Sequence, residues 1–188
     1  MKIAYFECNS GIAGNMILGA LLDAELPKSE LVRELNKLKI KFALKVRRVK
    51  KGMFYATDVH VIPKGRDSYA HPEDIYRIIR RSTLSARIKV KALNIFKRLA
   101  KAEAMVHHRK TAHFHEIGAT DSLVDIVGAV IGLNMLGIEK VYASPINVGS
   151  GTITFSHGTV PVPAPATSEL LKGYPIYNQN EGKELTTP

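Results

Sequence analysis

The pattern of apolar and polar positions in the first third of the chain predicts short strands alternating with helices. Residues 3–6 predict a strand, and apolar residues three and four positions apart predict a helix over 15–24. Leucines at helical spacing after Ser29 predict a second helix, with Ser29 as its N-cap. Residues 46–49 and 56–62 read as two strands around a Lys-Gly turn, which predicts an antiparallel pair.

Helices dominate the rest of the pattern. Pro72 suits the first turn of a helix that runs to about residue 81, and Ser85 is placed to cap a longer helix that ends near residue 106. The apolar stretch at 121–136 is shorter than the ~20 residues of a membrane span and contains Asp125, so we expect a buried helix. The remaining predicted elements are strands at 141–142, 146–148 and 153–155, an extended proline-rich segment at 161–165 and a helix at 167–171.

These elements indicate a mixed α/β (α+β) fold, with a short sheet packed against several helices in a single main domain over 1–188. The chain has 188 residues and is 45% apolar, which is typical of a globular protein. Its single cysteine, Cys8, excludes an intramolecular disulfide. The first residues do not resemble a signal peptide, so we expect a cytoplasmic protein without a membrane partner.

The net charge of +10 is concentrated in the middle of the chain. Residues 31–110 contain 22 basic and 6 acidic residues, whereas both flanking segments are net acidic. Such a region attracts phosphates, nucleic acid or an acidic partner, although a solvated helix surface is the simpler interpretation. Because no nucleic-acid-binding motif accompanies the charge, nucleic-acid binding is the less favoured alternative.

The densest polar cluster lies between the two longest predicted helices. His113 and His115 are two residues apart, so they share one face of an extended segment, and Glu116 follows directly. Asp121 and Asp125 are four residues apart and share one face of the next helix. Since imidazoles and carboxylates bind divalent metal ions, these five residues form a candidate metal site.

Structural interpretations of the same residues stay open. Asp121 is placed to cap its helix, and two histidines beside a glutamate can form a hydrogen-bonded network. His107 and His108 precede these five residues in the same polar stretch, and for them the structural interpretation is preferred. Asp125 is harder to explain structurally, because it lies among apolar residues and a buried carboxylate requires a partner.

The turn at 8–15 is a second candidate site. Gly11 and Gly14 allow the backbone to approach a ligand, and the helix that follows presents free N–H groups to an anion. The turn matches neither a P-loop nor a dinucleotide-binding motif. Cys8 is either a thiolate ligand for a soft metal or, slightly favoured, a small buried apolar residue.

His157 precedes the proline-rich segment. It either faces a cleft or belongs to a rigid connector that positions the following helix. The candidate substrate- or phosphate-binding residues are therefore Cys8, Ser10, Gly11, Gly14, Asn15 and His157.

Three segments taken together resemble the LarC-type nickel insertion family. They read FECNSGIAGNM at 6–16, HFHEIGATDSLVDIVG at 113–128, and His157-Gly158 with the proline-rich stretch at 161–167. The order and approximate spacing hold from the first strand to the last residue, so the resemblance covers essentially the whole chain.

The resemblance implies insertion of nickel into a pyridinium bisthiocarboxylate mononucleotide, the precursor of the nickel-pincer cofactor of lactate racemase. It further implies hydrolysis of CTP assisted by manganese or magnesium. The histidine and carboxylate cluster would then handle nickel, while the glycine turn and the basic middle would receive the phosphate of the mononucleotide. No individual residue acquires a catalytic role from this resemblance.

The chain departs from the family pattern at several positions. Glu7 and Asn15 stand where the family usually has aspartate, and the histidine-rich insertion common between the positions of residues 62 and 71 is missing. Residues 184–188 resemble the start of a motif that continues into a nucleotide-binding C-terminal domain. We therefore expect an N-terminal half that requires a C-terminal half, supplied as a separate polypeptide, for complete activity.

Whether the chain is an enzyme on its own stays open, and a homo-oligomer is expected. Two alternatives to nickel insertion remain. The first is a non-catalytic scaffold or phosphate-binding module that oligomerises through the apolar helix at 123–138. The second is a basic nucleic-acid-binding domain that uses residues 31–110.

Overall fold

The computed structural model describes residues 1–65, 69, 71–108, 114, 119–155, 158–179 and 182–188. Six α-helices, one short 3-10 helix (Asn36–Leu38) and eight strands occur in these ranges. The helices are α1 (Gly14–Asp23), α2 (Lys28–Leu35), α3 (Pro72–Arg81), α4 (Ala86–Val106), α5 (Thr120–Met135) and α6 (Pro165–Leu170). The strands are β1 (Ile3–Phe6), β2 (Phe42–Lys51), β3 (Phe54–Pro63), β4 (Lys140–Ala143), β5 (Ile146–Asn147), β6 (Thr152–Phe155), β7 (Gly158–Pro161) and β8 (Ile176–Tyr177).

The described strands form four separate two-stranded sheets. β1 pairs in parallel with β4, and β5 in parallel with β8. β2 and β3 form a ten-residue antiparallel hairpin, and β6 and β7 form a shorter one. The expected mixed α/β class is confirmed, but the strands are distributed over four small sheets.

Helix α5 is the centre of the core. It packs against α1, α2, α4 and β3, and Leu123, Val124, Val127 and Ile131 are fully buried. The prediction of a buried helix is confirmed. The apolar helix to which the scaffold hypothesis assigned oligomerisation is packed largely against other elements of the chain itself.

The helix ends agree with the sequence signals in two cases. Pro72 lies in the first turn of α3, and the Ser85 hydroxyl accepts a hydrogen bond from the Ile88 amide at 3.4 Å to cap α4. The predicted cap at Ser29 is wrong, since α2 begins at Lys28 and its N-cap is Pro27, without a side-chain cap. Pro27 has the extended backbone that an N-cap needs, with a φ of −67° and a ψ of 120°.

Other element boundaries differ from the predicted ones by one to several residues. The hairpin strands are longer at both ends than their alternating patterns indicated. Helix α6 begins at Pro165, two residues before the predicted start, and β7 and β8 had not been predicted. No helix in the described ranges has the length and apolar character needed to cross a membrane.

Candidate functional site

A cleft of about 610 Å³ opens where α4, α5, β3 and the start of α1 meet. The beginning of α6 and residues of the C-terminal segment complete its walls. Aliphatic side chains that line it include Val59, Val61, Val106 and Ile126. The cleft therefore offers a protected apolar surface close to helix ends that carry polar groups.

Acidic side chains line much of the remaining surface. Asp121 and Asp125 of α5, Glu103 of α4 and Glu184 of the C-terminal segment all reach the cleft. Among the described lining residues there is neither lysine nor arginine. This arrangement attracts a cation and opposes the entry of an uncompensated anion.

The start of α1 and the middle of α5 touch at this cleft. A Cβ atom added at Gly14 would lie 2.6 Å from the Asp125 Cβ and 2.7 Å from its Oδ2 atom. Such distances are far inside van der Waals contact, so only glycine permits this packing. The contact joins the predicted glycine turn to the predicted metal cluster, although the two are more than 100 residues apart in sequence.

Asp125 is an acid of the site with a strongly raised pKa. Burial, and secondarily the negative charge of Asp121, raises the pKa of Asp125 to about 7. Its Oδ1 atom is buried and has no hydrogen-bond partner among the described residues. A carboxylate in this state gains from a bound cation or proton, which is the behaviour expected of a metal ligand.

Asp121 is more exposed and lies in the first turn of α5. Its Oδ1 atom accepts a hydrogen bond from the Ser122 amide at 2.8 Å. The residue is not the helix cap, because the N-cap is Ala119. Asp121 therefore does not occupy the N-cap position, although its carboxylate binds a first-turn amide, and the residue also lines the cleft.

The other glycine of the turn contacts protein where a ligand was expected. Gly11 has a φ of +80°, and its missing Cβ leaves room for the Leu185 carbonyl oxygen, which would lie 1.8 Å from a Cβ atom. The Ile12 amide donates to that same carbonyl at 3.0 Å, and Thr187 donates back to Ile12. Gly11 thus accommodates the C-terminal segment.

Cys8 and Ser10 are described, and neither belongs to the cleft lining. Cys8 is buried, and this burial raises the pKa of its thiol. This burial agrees with the alternative of a small buried residue, and it gives no support to a thiolate ligand. Ser10 is exposed on the turn, whereas Asn15 lines the cleft beside Gly14.

None of the described lysine and arginine side chains of the basic middle lines the cleft. Arg47 and Arg48 of β2 form ion pairs with Asp58 of β3 and Asp23 of α1, respectively. The interpretation of the charge as a solvated surface fits these positions. The suggestion that the basic middle receives a phosphate gains no support from the described lining residues.

Four candidate residues lie outside the described residues: His113, His115, Glu116 and His157. Phe114, which stands between the two histidines in sequence, is described and fully buried in the core. Within the described ranges, no group of three His, Cys, Asp or Glu residues is arranged to hold a metal ion. The described carboxylates alone are therefore an incomplete metal site.

The structure adds two cleft residues: Glu103, which the sequence argument did not consider, and His107, for which the structural interpretation was preferred. Glu103 and His107, four residues apart at the end of α4, both line the cleft, and the His107 Nε2 lies 3.5 Å from the Glu103 Oε2. Their i, i+4 spacing was the available signal. His60 of β3 also lines the cleft, but nothing in its sequence context indicated this.

Curated relatives match the chain over its entire length. A pyridinium-3,5-bisthiocarboxylic acid mononucleotide nickel insertion protein of Desulfitobacterium hafniense is 51% identical, and the chain covers 48% of it. A putative nickel insertion protein of Dictyoglomus thermophilum is 45% identical, with 50% covered. A Staphylococcus epidermidis protein with the same name as the first is 42% identical, with 48% covered.

The chain spans about half the length of the curated relatives it matches. No solved structure matches it. The family model described as nickel insertion protein matches residues 4–188. This match covers nearly the whole chain and agrees with the relatives, so the chain belongs to the nickel insertion protein family.

Proposed function

We propose that this chain binds Ni²⁺ and a pyridinium-3,5-bisthiocarboxylic acid mononucleotide in the cleft, as the metal- and substrate-handling part of a nickel insertion protein. The observation that carries the proposal is the contact between Gly14 and Asp125. It brings two distant sequence segments, each a candidate site by itself, to one cleft. The names of the relatives supply the identity of metal and substrate.

Nickel is the ion to be transferred, and we assign its binding to Asp121 and Asp125 together with His113, His115 and Glu116. Asp125 has a buried oxygen without a described partner, and imidazole ligands suit Ni²⁺ well. The three other residues come from the segment that connects α4 to α5, and both helices line the cleft. The assignment of those three rests on sequence spacing.

The substrate named for the relatives contains an aromatic ring with two anionic thiocarboxylates. The aliphatic side chains of Val59, Val61 and Ile126 in the cleft lining suit such a ring. The carboxylates of the cleft would repel the thiocarboxylates unless a cation lies between them. We therefore propose that Ni²⁺ binds first and that the mononucleotide follows, with its phosphate toward Gly14 and Asn15 at the start of α1.

The CTP-dependent step, with manganese or magnesium, is proposed for the whole protein that the relatives represent. The chain would then act together with the other half of such a protein, and a homo-oligomer is the proposed assembly. Both proposals rest on the resemblance and on the half-length match.

The test is calorimetric titration of Ni²⁺, Mn²⁺ and Zn²⁺ into the metal-stripped chain, with and without CTP. We expect near-stoichiometric Ni²⁺ binding that CTP does not change, and its loss in the variant Asp121→Asn with Asp125→Asn. The matched control is Glu73→Gln with Asp74→Asn, two acids in the first turn of α3 that do not line the cleft. Unchanged Ni²⁺ affinity in the cleft variant would overturn the proposal.

A further inference from the structure

The hairpin of β2 and β3 ends in three consecutive large apolar residues that are exposed. Met53, Phe54 and Tyr55 are 87%, 79% and 63% exposed, respectively. A Cβ atom added at Gly52, in the turn before them, would have no described neighbour within 4 Å. Because a contiguous exposed apolar patch commonly marks an interaction site, the end of the hairpin is a candidate docking element.

Two lysines accompany these apolar side chains. Lys50 and Lys51 are exposed and pair across the hairpin with Tyr55 and Phe54, respectively. The Nζ atom of Lys50 lies 5.3 Å from the centre of the Tyr55 ring. Neither lysine forms an ion pair with a described residue. The hairpin tip, defined as residues 50–55, therefore combines an apolar surface with two positive charges that no described carboxylate compensates.

The hairpin is held against α1 just before the tip begins. The Thr57 amide donates to the Asp23 Oδ2 atom at 3.1 Å, and the Thr57 hydroxyl donates to the Oδ1 atom at 2.7 Å. Val59, further along β3, already lines the cleft. An extended strand covers the six residues from Val59 back to Met53 in about 20 Å. Since β2 and β3 stay paired up to the turn, the tip cannot fold back into the cleft of its own chain.

The described part of the cleft is complementary to the hairpin tip. Its lining includes aliphatic side chains such as Val106 and Ile126, and it contains neither lysine nor arginine among the described residues. Asp121 is exposed there and forms no ion pair with a described residue. The Asp125 Oδ1 atom has no described hydrogen-bond partner. Matching apolar surfaces with opposite charges are the features of a specific protein interface.

We propose that the hairpin tip of one copy of this chain docks at the cleft of a second copy. Lys50 and Lys51 of the tip face the exposed Asp121, and Met53 and Phe54 contact the aliphatic lining. Because every copy has one tip and one cleft, reciprocal docking about a two-fold axis gives a closed dimer. This inference rests on the proposed function, which includes a homo-oligomer, and it specifies the interface. The lysines bring positive charge to a cleft whose described lining opposes anions, so each copy completes the site of the other.

Sedimentation equilibrium of the chain in a chelator tests the dimer without Ni²⁺. We expect wild type to dimerise, and Met53→Asp with Phe54→Asp to raise the dissociation constant of the dimer by about 10-fold or more. The matched control is Val90→Asp with Ile95→Asp, two exposed apolar residues of α4 outside the cleft lining, which should leave the constant unchanged. Circular dichroism melting would identify any variant that fails to fold.

Cross-linking between two differently tagged copies tests where the tip docks. A copy with Phe54→Cys is mixed with a copy carrying Ser122→Cys, since Ser122 lines the cleft, and a short bismaleimide is added. The control copy carries Glu73→Cys, in the first turn of α3 and outside the cleft lining. Wild type serves as a second control, because its Cys8 is buried. We expect a cross-linked heterodimer in the mixture with Ser122→Cys and in neither control.

A wild-type chain that stays monomeric at every concentration would overturn the inference, and so would a wild-type dissociation constant in the folded tip variant. Equal cross-linking to Ser122→Cys and Glu73→Cys would also overturn it. Binding of a monomeric wild type to phosphatidylserine vesicles through the tip would overturn it in favour of a membrane surface. Absence of Ni²⁺ binding in calorimetry would overturn the proposed metal site and leave a tip-dependent dimer intact, so the two failures are distinguishable.

Discussion

The substitution Asp125→Asn tests whether the ionised carboxylate of Asp125 destabilises the metal-free protein. The pKa of Asp125 is raised from 3.8 to about 7 in the native protein. At about 1.4 kcal/mol for each pH unit, full ionisation of this carboxyl lowers the free energy of unfolding by about 4 kcal/mol. Water in the open cleft screens part of this cost. We therefore expect the variant to be more stable than wild type by about 2 kcal/mol above pH 7.

The sign follows from proton binding by Asp125 in the two states. Below about pH 4 the carboxyl is protonated in both the native and the unfolded chain, so it adds no pH dependence. Between pH 4 and 7 it ionises in the unfolded chain but stays protonated in the native protein. The stability of wild type relative to the Asn variant consequently falls across this window and is constant above it.

Urea unfolding of both proteins in a chelator, at several pH values from 4 to 8, measures this difference directly. Asp121→Asn is the comparison variant, because it removes only the secondary cause of the raised pKa of Asp125. We expect it to give a smaller change with the same pH profile. A stability difference between wild type and Asp125→Asn that does not vary with pH would refute the reasoning.

Three further predictions concern the turn before α1. Gly14→Ala should abolish Ni²⁺ binding in calorimetry, because the added Cβ would lie 2.6 Å from the Asp125 Cβ. Gly65→Ala is the control and should leave Ni²⁺ binding unchanged, because the atom nearest to its added Cβ is 3.6 Å away. Gly11→Ala should destabilise the chain by more than about 2 kcal/mol in urea unfolding, since a Cβ there meets backbone and its φ is +80°; wild-type stability would contradict the packing described. Cys8, whose thiol is buried with a raised pKa, should react with iodoacetamide far more slowly in the native than in the unfolded chain, and equal rates would show that it is accessible.

Much of the fold was predictable because local signals and core packing agree. The apolar stretch around Asp125 predicted the central helix, and Ser85 correctly marked the start of α4. The hairpin was found but its length was not, because exposed positions such as Phe54, at 79% exposure, interrupt the alternation. β8 is two residues long and depends on pairing with β5, so it has almost no local signal.

The separate segments of the candidate site were predictable from the sequence. Only the structure shows which of the described segments lie together. Sequence spacing identified Asp121 and Asp125 as a pair, but it did not show that Gly14 packs on Asp125. The role of Gly11 was misjudged, because its neighbour Leu185 is 174 residues away in sequence. Long-range contacts of this kind leave no mark in local spacing.

The pair at the end of α4 illustrates the same limit. Glu103 and His107 have helical i, i+4 spacing, which is common on solvated helix surfaces. Only the burial of Glu103 and the cleft beside His107 distinguish them from such a pair.

The most direct test of the account is a nickel-edge anomalous difference map from crystals of the chain grown with Ni²⁺. We predict one strong peak inside the cleft, beside Asp121 and Asp125. Peaks confined to histidines outside the cleft, such as His71 or His108, or a cleft without nickel at saturating Ni²⁺, would contradict the central claim.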